Sequence, residues 1–300
     1  MANEMKHINY VANGMGGQSM YLLYLASQKL IPATVSITAD TGWENDCDLM
    51  DGTKTTGEEF YRNHIEPFGR KYGIVTSFVR TTIKDGSNLP TIPEYLREKK
   101  ALGKDKAMPV PMFGSNGGRL KQTCTDKWKI SAMKQECRRL GATTARSAQG
   151  IHFGERARRV KGEYVGVEDG FSIYKTGKLD KKTGVFTPIK WLSHYYPLVD
   201  LQMDREDVRR EMNRLGLPYL ISSECCGCPH ADPWRWLRRT DETIEAVAQI
   251  EDMYEGQMFF TDQRRPLRDV IADFKYQESA QSLLFTDVAN FDCTEGVCGV

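Results

Sequence analysis

The chain lacks any apolar run near the about 18–20 residues that a bilayer-crossing helix needs. A membrane span is therefore not expected. Its opening, MANEMKHINYVANG, has no long apolar stretch behind a basic start, so a secretory leader is not expected and a cytoplasmic location is. Net charge is almost absent too. The 41 Lys and Arg against 40 Asp and Glu leave +1, which excludes a global electrostatic footprint for nucleic acid but not a local basic face. Internal repeats and low-complexity tracts are missing, so a repeat array is excluded. What is present is an ordinary globular composition, 40% hydrophobic and 27% charged over 300 residues, enough for one large domain or two modest ones.

Elements can be placed from the pattern. His7–Ala12 reads as a strand, Met20–Leu30 as a helix with a broad apolar face, Thr34–Ala39 as a second strand closed by Asp40-Thr41-Gly42. Gly57–Tyr72 reads as a helix that Pro67 must kink or end, and Gly73–Val79 as a third strand. This alternation predicts an α/β fold, a parallel sheet flanked by helices, whose ligands bind at the carboxyl ends of the strands. Residues 84–123, with Pro90, Pro93, Pro109 and Pro111, read as a long functional loop or lid. Lys127–Leu140 reads as a helix with Ile130, Met133, Cys137 and Leu140 on one side. Asp204–Gly216 is a marked helix, capped by Asp204 and ended by Gly216 and Pro218, and Thr240–Tyr254 is another. A boundary near residue 200 would separate an α/β core, 1–200, from a helical, cysteine-containing C-terminal region, 201–300.

Between the first strand and helix lies Asn13-Gly14-Met15-Gly16-Gly17-Gln18-Ser19. A strand, a glycine loop and a helix start present backbone N–H groups to an anion, most often phosphate. The loop has neither GxxxxGK[ST] nor GxGxxG spacing, and no lysine meets a terminal phosphate. A tight turn that holds nothing is the plainer alternative.

The loop resembles the PP-loop of the adenine-nucleotide α-hydrolase superfamily, usually SGGxDS, and is closer to the phosphoadenosine phosphosulfate (PAPS) reductase branch, where the lysine is absent and a glutamine such as Gln18 often stands. Ala39-Asp40-Thr41-Gly42 resembles the family's DTG. Ser147–Arg159 (SAQGIHFGERARR) resembles its GIR…E…R segment, with Gly150, His152, Glu155 and Arg158 in matching places, and Ser222–Pro229 (SSECCGCP), after Tyr219, resembles its late cysteine pair. The resemblance implies an adenine nucleotide, PAPS, adenosine phosphosulfate (APS) or ATP, as the small-molecule partner. Gly14, Gly16, Gly17, Gln18 and Ser19 would cradle its anionic end, Asp40, Thr41 and Gly42 would line the nucleoside side, and Gly150, His152, Glu155, Arg158 and Arg159 would complete the site. This chain departs from the pattern in three places. Gln18-Ser19-Met20 replaces the Asp-Ser end, His152 replaces an arginine, and the reductases' ECGLH segment has only a loose echo in Asp292–Gly296.

Five of the eight cysteines follow residue 224. In a reducing compartment clustered cysteines bind metal or react rather than form a disulfide framework. Cys225-x-x-Cys228 and Cys293-x4-Cys298 could form a thiolate site for zinc or an iron–sulfur cluster. Cys124 stands where cluster-bearing sulfonucleotide reductases have adjacent cysteines. The expected ligands are Cys124, Cys225, Cys228 and Cys293 for a 4Fe-4S cluster, with zinc as the alternative, leaving Cys298 or Cys226 for thiolate chemistry. Cys47 reads as incidental in a polar loop and Cys137 as core. Arg119, Lys121, Lys127 and Lys129 flank Cys124, and Trp234–Arg239 interleaves tryptophan with arginine; the first set suits phosphates, the second reads as a solvated face over core tryptophans.

Three functions remain open. One is a PAPS reductase-like oxidoreductase with a thioredoxin-like reductant. Another is an ATP-dependent sulfurtransferase acting on nucleic acid, as DNA phosphorothioation proteins do. The third is a non-catalytic nucleotide-binding module with structural zinc.

Overall fold

The structure is a computed structural model that describes residues 6–103, 108–160, 162–180, 183–184, 186–221 and 224–289. The strands, in chain order, are β1 His7–Ala12, β2 Val35–Ala39, β3 Cys47–Asp48, β4 Lys54–Thr55, β5 Val75–Val79, β6 Phe113–Gly114, β7 Thr144–Ala148, β8 Glu163–Glu168, β9 Phe171–Leu179, β10 Phe186–Tyr195 and β11 Met258–Phe259. The chain divides into two units, Met1–Tyr95 with Gln122–Cys226, and Leu96–Lys121 with Gly227–Val300.

The first unit is built on a seven-stranded sheet of order β5-β2-β1-β7-β10-β9-β8. The first five run parallel, and β9 and β8 continue the sheet antiparallel. The expected α/β architecture with a mainly parallel sheet is therefore present. All five residues of β2 are buried, as a strand covered on both faces requires. Alternation along β1 sends Val11 to one core and Ile8 and Tyr10 to the other. The first core takes the helix Gly17–Ser27, with Leu22, Leu23 and Leu25 buried, and the helix Arg205–Leu215, with Val208 and Met212. The second takes the helix Ser131–Arg139 through Cys137.

Local chemistry shifts several expected boundaries. Pro67 does not end its helix. The helix Gly57–Phe60 widens into a π turn, Tyr61–Ile65, which runs on without a break into Glu66–Tyr72, so Pro67 is carried inside one continuous helical stretch. A second π turn, Thr125–Ile130, precedes Ser131–Arg139 and leaves Ile130 exposed, off the apolar side assigned to it. Residues 84–123 are not one long loop, for they hold the helix Ile92–Ala101 and the strand β6. Cys47 is fully buried in the first core rather than incidental in a polar loop.

In the second unit, β6 and β11 pair antiparallel. The helices Pro233–Leu237, Asp241–Asp252 and Leu267–Ala289 bury Trp236, Val247, Ile250, Leu267, Val270 and Ile271. Glu251 is buried among them. Its carboxylate accepts the N–H of Phe260 at 2.7 Å and of Leu267 at 2.6 Å, so one side chain pins both ends of the segment between them.

Candidate functional site

The strand order places the site. From β1 the chain moves outward through β2 to β5, then returns to the other side of β1 with β7. The order reverses between β1 and β7, and the crevice beyond the carboxyl ends at such a reversal is where open α/β sheets take ligands. The glycine loop leaves β1 there. Asn13, fully buried, holds it from below: its amide donates to Ser36 Oγ at 3.2 Å, and its Oδ1 accepts the Met15 N–H at 2.8 Å. Met15 takes a left-handed φ of 66° and buries its side chain, while Gly14 stays exposed. Gly16 sits at the N-cap of the helix Gly17–Ser27 with no side-chain cap. The N–H groups of Gly17, Gln18 and Ser19 therefore have no intrahelical acceptor, and the helix dipole points its positive end at the crevice. The Ser19 hydroxyl donates to Gly16 O at 3.0 Å.

The matching segments gather around this helix start. Gly150, past the end of β7, lies so close that a Cβ there would stand 3.2 Å from Gln18 Cβ and from Ser19 N. The segment before the late cysteines runs on another side. Leu220 donates its N–H to Met15 O at 3.0 Å, and the Tyr219 ring lies 3.4 Å from where a Gly17 Cβ would be.

At the end of β2, Asp40 accepts the Gly42 N–H at 2.7 Å and pairs through its other oxygen with Arg80, whose Nε lies at 3.0 Å. Gly42 has a φ of +68°, and a Cβ there would come within 2.1 Å of Thr91 Cγ2. Thr41 donates to Glu44 Oε2 at 2.7 Å. The Cys225 thiol donates to Glu44 Oε1 at 3.6 Å and lies 3.4 Å from the Thr41 hydroxyl, and Lys129 Nζ is 3.9 Å from Glu44. Sequence reading missed Glu44. The only signal was a carboxylate three positions after Thr41, able to close the turn.

His152 and Glu155 meet, Nε2 to Oε2 at 3.3 Å, and His152 Nδ1 is buried with no hydrogen-bond partner among the described residues. Arg156 stacks over Phe153 at 3.9 Å. The side chains of Arg158 and Arg159 lie outside the described residues, as do Cys293 and Cys298. Cys124 is half-buried and Cys226 fully buried, its N–H bonded to Trp43 O at 2.8 Å. Cys228 belongs to the second unit. Among the described residues no three His, Cys, Asp or Glu come together as metal ligands. Beside Cys225 the structure places the Thr41 hydroxyl and the Glu44 carboxylate.

No protein-family model and no curated protein matches the sequence. Among solved structures, the crystal structure of phosphoadenylyl-sulfate (PAPS) reductase from Candida auris, in a phosphate complex, is similar at 10% identity and a TM-score of 0.36, over 73% of this chain and 75% of that one. Among the described residues no helix is long and apolar enough to cross a membrane.

Proposed function

We propose that the first unit is the nucleotide-binding part of an enzyme resembling PAPS reductases, taking an adenine nucleotide, PAPS or APS before ATP, at the carboxyl edge of β1. One observation carries this. Three of the four segments singled out in sequence, the loop Gly14–Ser19, Asp40–Gly42 and the Gly150–Glu155 part of Ser147–Arg159, follow β1 and its two neighbours β2 and β7, so they share one edge of three adjacent strands. The N–H groups of Gly17, Gln18 and Ser19 hold the anionic end, a phosphate or sulfate. Gly150 keeps that helix start open to close approach, since any larger residue would press on it. Asp40, bound to Arg80, sets the turn at Gly42 on the nucleoside side rather than holding magnesium, consistent with the loss of the Asp-Ser end of the loop. Arg158 and Arg159 would neutralise the remaining charge.

The chemistry is sulfur redox or transfer on the bound nucleotide, with Cys226 or Cys298 as the proposed thiol. The proposed metal ligands are Cys124, Cys225, Cys228 and Cys293, of which Cys293 lies outside the described residues.

Isothermal titration with PAPS, APS, adenosine 3′,5′-bisphosphate and ATP tests the reading. Saturable binding of PAPS or APS is expected, weakened about tenfold or more in Gly150→Val, whose side chain would crowd Gln18 and Ser19 N. Absence of saturable binding by all four overturns it. Turnover of ATP only when nucleic acid is added would move the chain to the sulfurtransferases.

A further inference from the structure

The second unit contains a cavity of about 390 Å³ that the proposed function does not use. Its volume lies in the range of small-molecule sites, about 300–1,000 Å³. Four stretches of chain line it: the hairpin from Phe113 to Arg119, residues 229–236, residues 261–263, and Phe274 on the helix Leu267–Ala289.

The lining has two chemistries. Phe113 and Phe274, both half-buried, supply aromatic surface, and the buried Trp236 forms part of the wall. Around it stand Arg119, His230, Asp232, Asp262 and Gln263. Thr261 also lines the cavity, is 6% exposed, and has a buried hydroxyl with no hydrogen-bond partner among the described residues. A buried hydroxyl left unpaired is costly, and a ligand group can satisfy it.

The polar rim is held in place. Thr261, Asp262 and Gln263 fall between Phe260 and Leu267, the two residues whose N–H groups Glu251 pins. Arg264 donates to Gly117 O at 3.1 Å, tying this segment to the hairpin, and a bridge between Phe113 and Arg119 closes the hairpin itself. A rim clamped before ligand arrives loses little entropy on binding.

We propose that this cavity binds a nucleoside unit, a heteroaromatic base with its ribose and 5′-phosphate. Aromatic side chains stack on any base. Gln263 offers both a donor and an acceptor to a base edge. A carboxylate such as Asp232 or Asp262 accepts from a ribose diol, as in dinucleotide sites. Arg119 meets a phosphate. Other classes fit worse. An aliphatic ligand makes no use of the charged rim, and a simple cation is opposed by Arg119. The site lies wholly in the second unit and stands whether or not the first binds a nucleotide.

Binding to the full chain should be measured with AMP, GMP, CMP and UMP, with adenosine, with a short adenylate single strand, and with methyl glucoside as a sugar control. Crosslinking with 8-azidoadenosine 5′-monophosphate and peptide mapping locates the site. Saturable nucleotide binding is expected, with crosslinks in 113–119, 229–236 or 261–274. The Asp262→Ala, Gln263→Ala double variant should raise Kd about tenfold or more at unchanged melting temperature, since both side chains are exposed. Arg119→Ala should weaken AMP while sparing adenosine, a pattern that a merely structural role would not produce. Tighter binding of the strand than of AMP assigns the ligand to nucleic acid, and the reverse to free nucleotide; either supports the proposal. Crosslinks confined to the first unit, an unchanged Kd in the double variant, or methyl glucoside binding in place of nucleotides overturns it, and none of these touches the PAPS titration.

Discussion

Gly42 shows how one missing Cβ shapes a site. Its φ of +68° is a region most side chains avoid, and Thr91 stands where a Cβ would go. Gly42→Ala should therefore cost about 2 kcal/mol or more in urea unfolding, from backbone strain and overlap together. Thr91 cannot easily withdraw, because its N–H and hydroxyl both donate to Glu94 at the start of the helix Ile92–Ala101. A shift below about 0.5 kcal/mol would show that this turn relaxes freely. Two titratable groups, half-buried His194 and buried Glu251, act with opposite sign. Burial, and secondarily Lys134, lowers the His194 pKa from 6.5 to about 4, so between these values the unfolded chain binds more protons than the folded one. Its contribution to stability is full above pH 6.5 and is lost as pH falls toward 4. Burial raises Glu251 from 4.5 to about 7 against the pull of its two N–H donors, so there the folded state binds more protons and stability falls as pH rises through that window. Because Glu251→Gln loses one of two opposing contributions and keeps that of His194, its urea midpoints should shift, relative to the parent, toward greater stability at pH 7.5 than at pH 5. An unchanged difference would show that Glu251 is ionised throughout.

At the scale of elements, the helix Arg205–Leu215 begins with a capping box. Asp204 accepts from Glu206 and Asp207, Asp207 accepts in return from Asp204 N, and Gly216 closes the helix in the left-handed region. Asp204→Ala should lower stability by about 1 kcal/mol in thermal or urea unfolding, and a neutral result would mean the tertiary face alone holds the helix. This helix was legible in sequence because its caps are local. So were β1, β2 and β5, whose apolar runs fit a parallel sheet. The π turns, Tyr61–Ile65 and Thr125–Ile130, were not, since no local residue pattern marks where the backbone widens. The antiparallel extension was missed although it carried a signal: Asp169-Gly170, with φ of 51° and 82°, is the two-residue turn that joins β8 to β9. The candidate site was legible where motifs follow strands, at Gly16–Ser19, Asp40–Gly42 and Gly150. The meeting of Cys225 with Glu44 and Thr41 was not, because it joins residues 181 and 184 positions apart.

At the scale of the molecule, the division into two units does not follow the chain's linear order. The second unit takes its first piece, Leu96–Lys121, from within the span of the first. That piece supplies β6 to pair with β11 and brings Leu96, whose carbonyl accepts from the Tyr254 hydroxyl at 3.3 Å. On the ribosome these groups emerge more than a hundred residues before their partners. At a synthesis rate of about 5–20 residues per second, Leu96 and Met108, both buried in the finished protein, wait several seconds or more for Tyr254, which bonds to each. The two-residue strand Phe113–Gly114 thus waits long for its neighbour, Met258–Phe259. The interval in which a chaperone is most needed is set by where the second unit borrows its first segment.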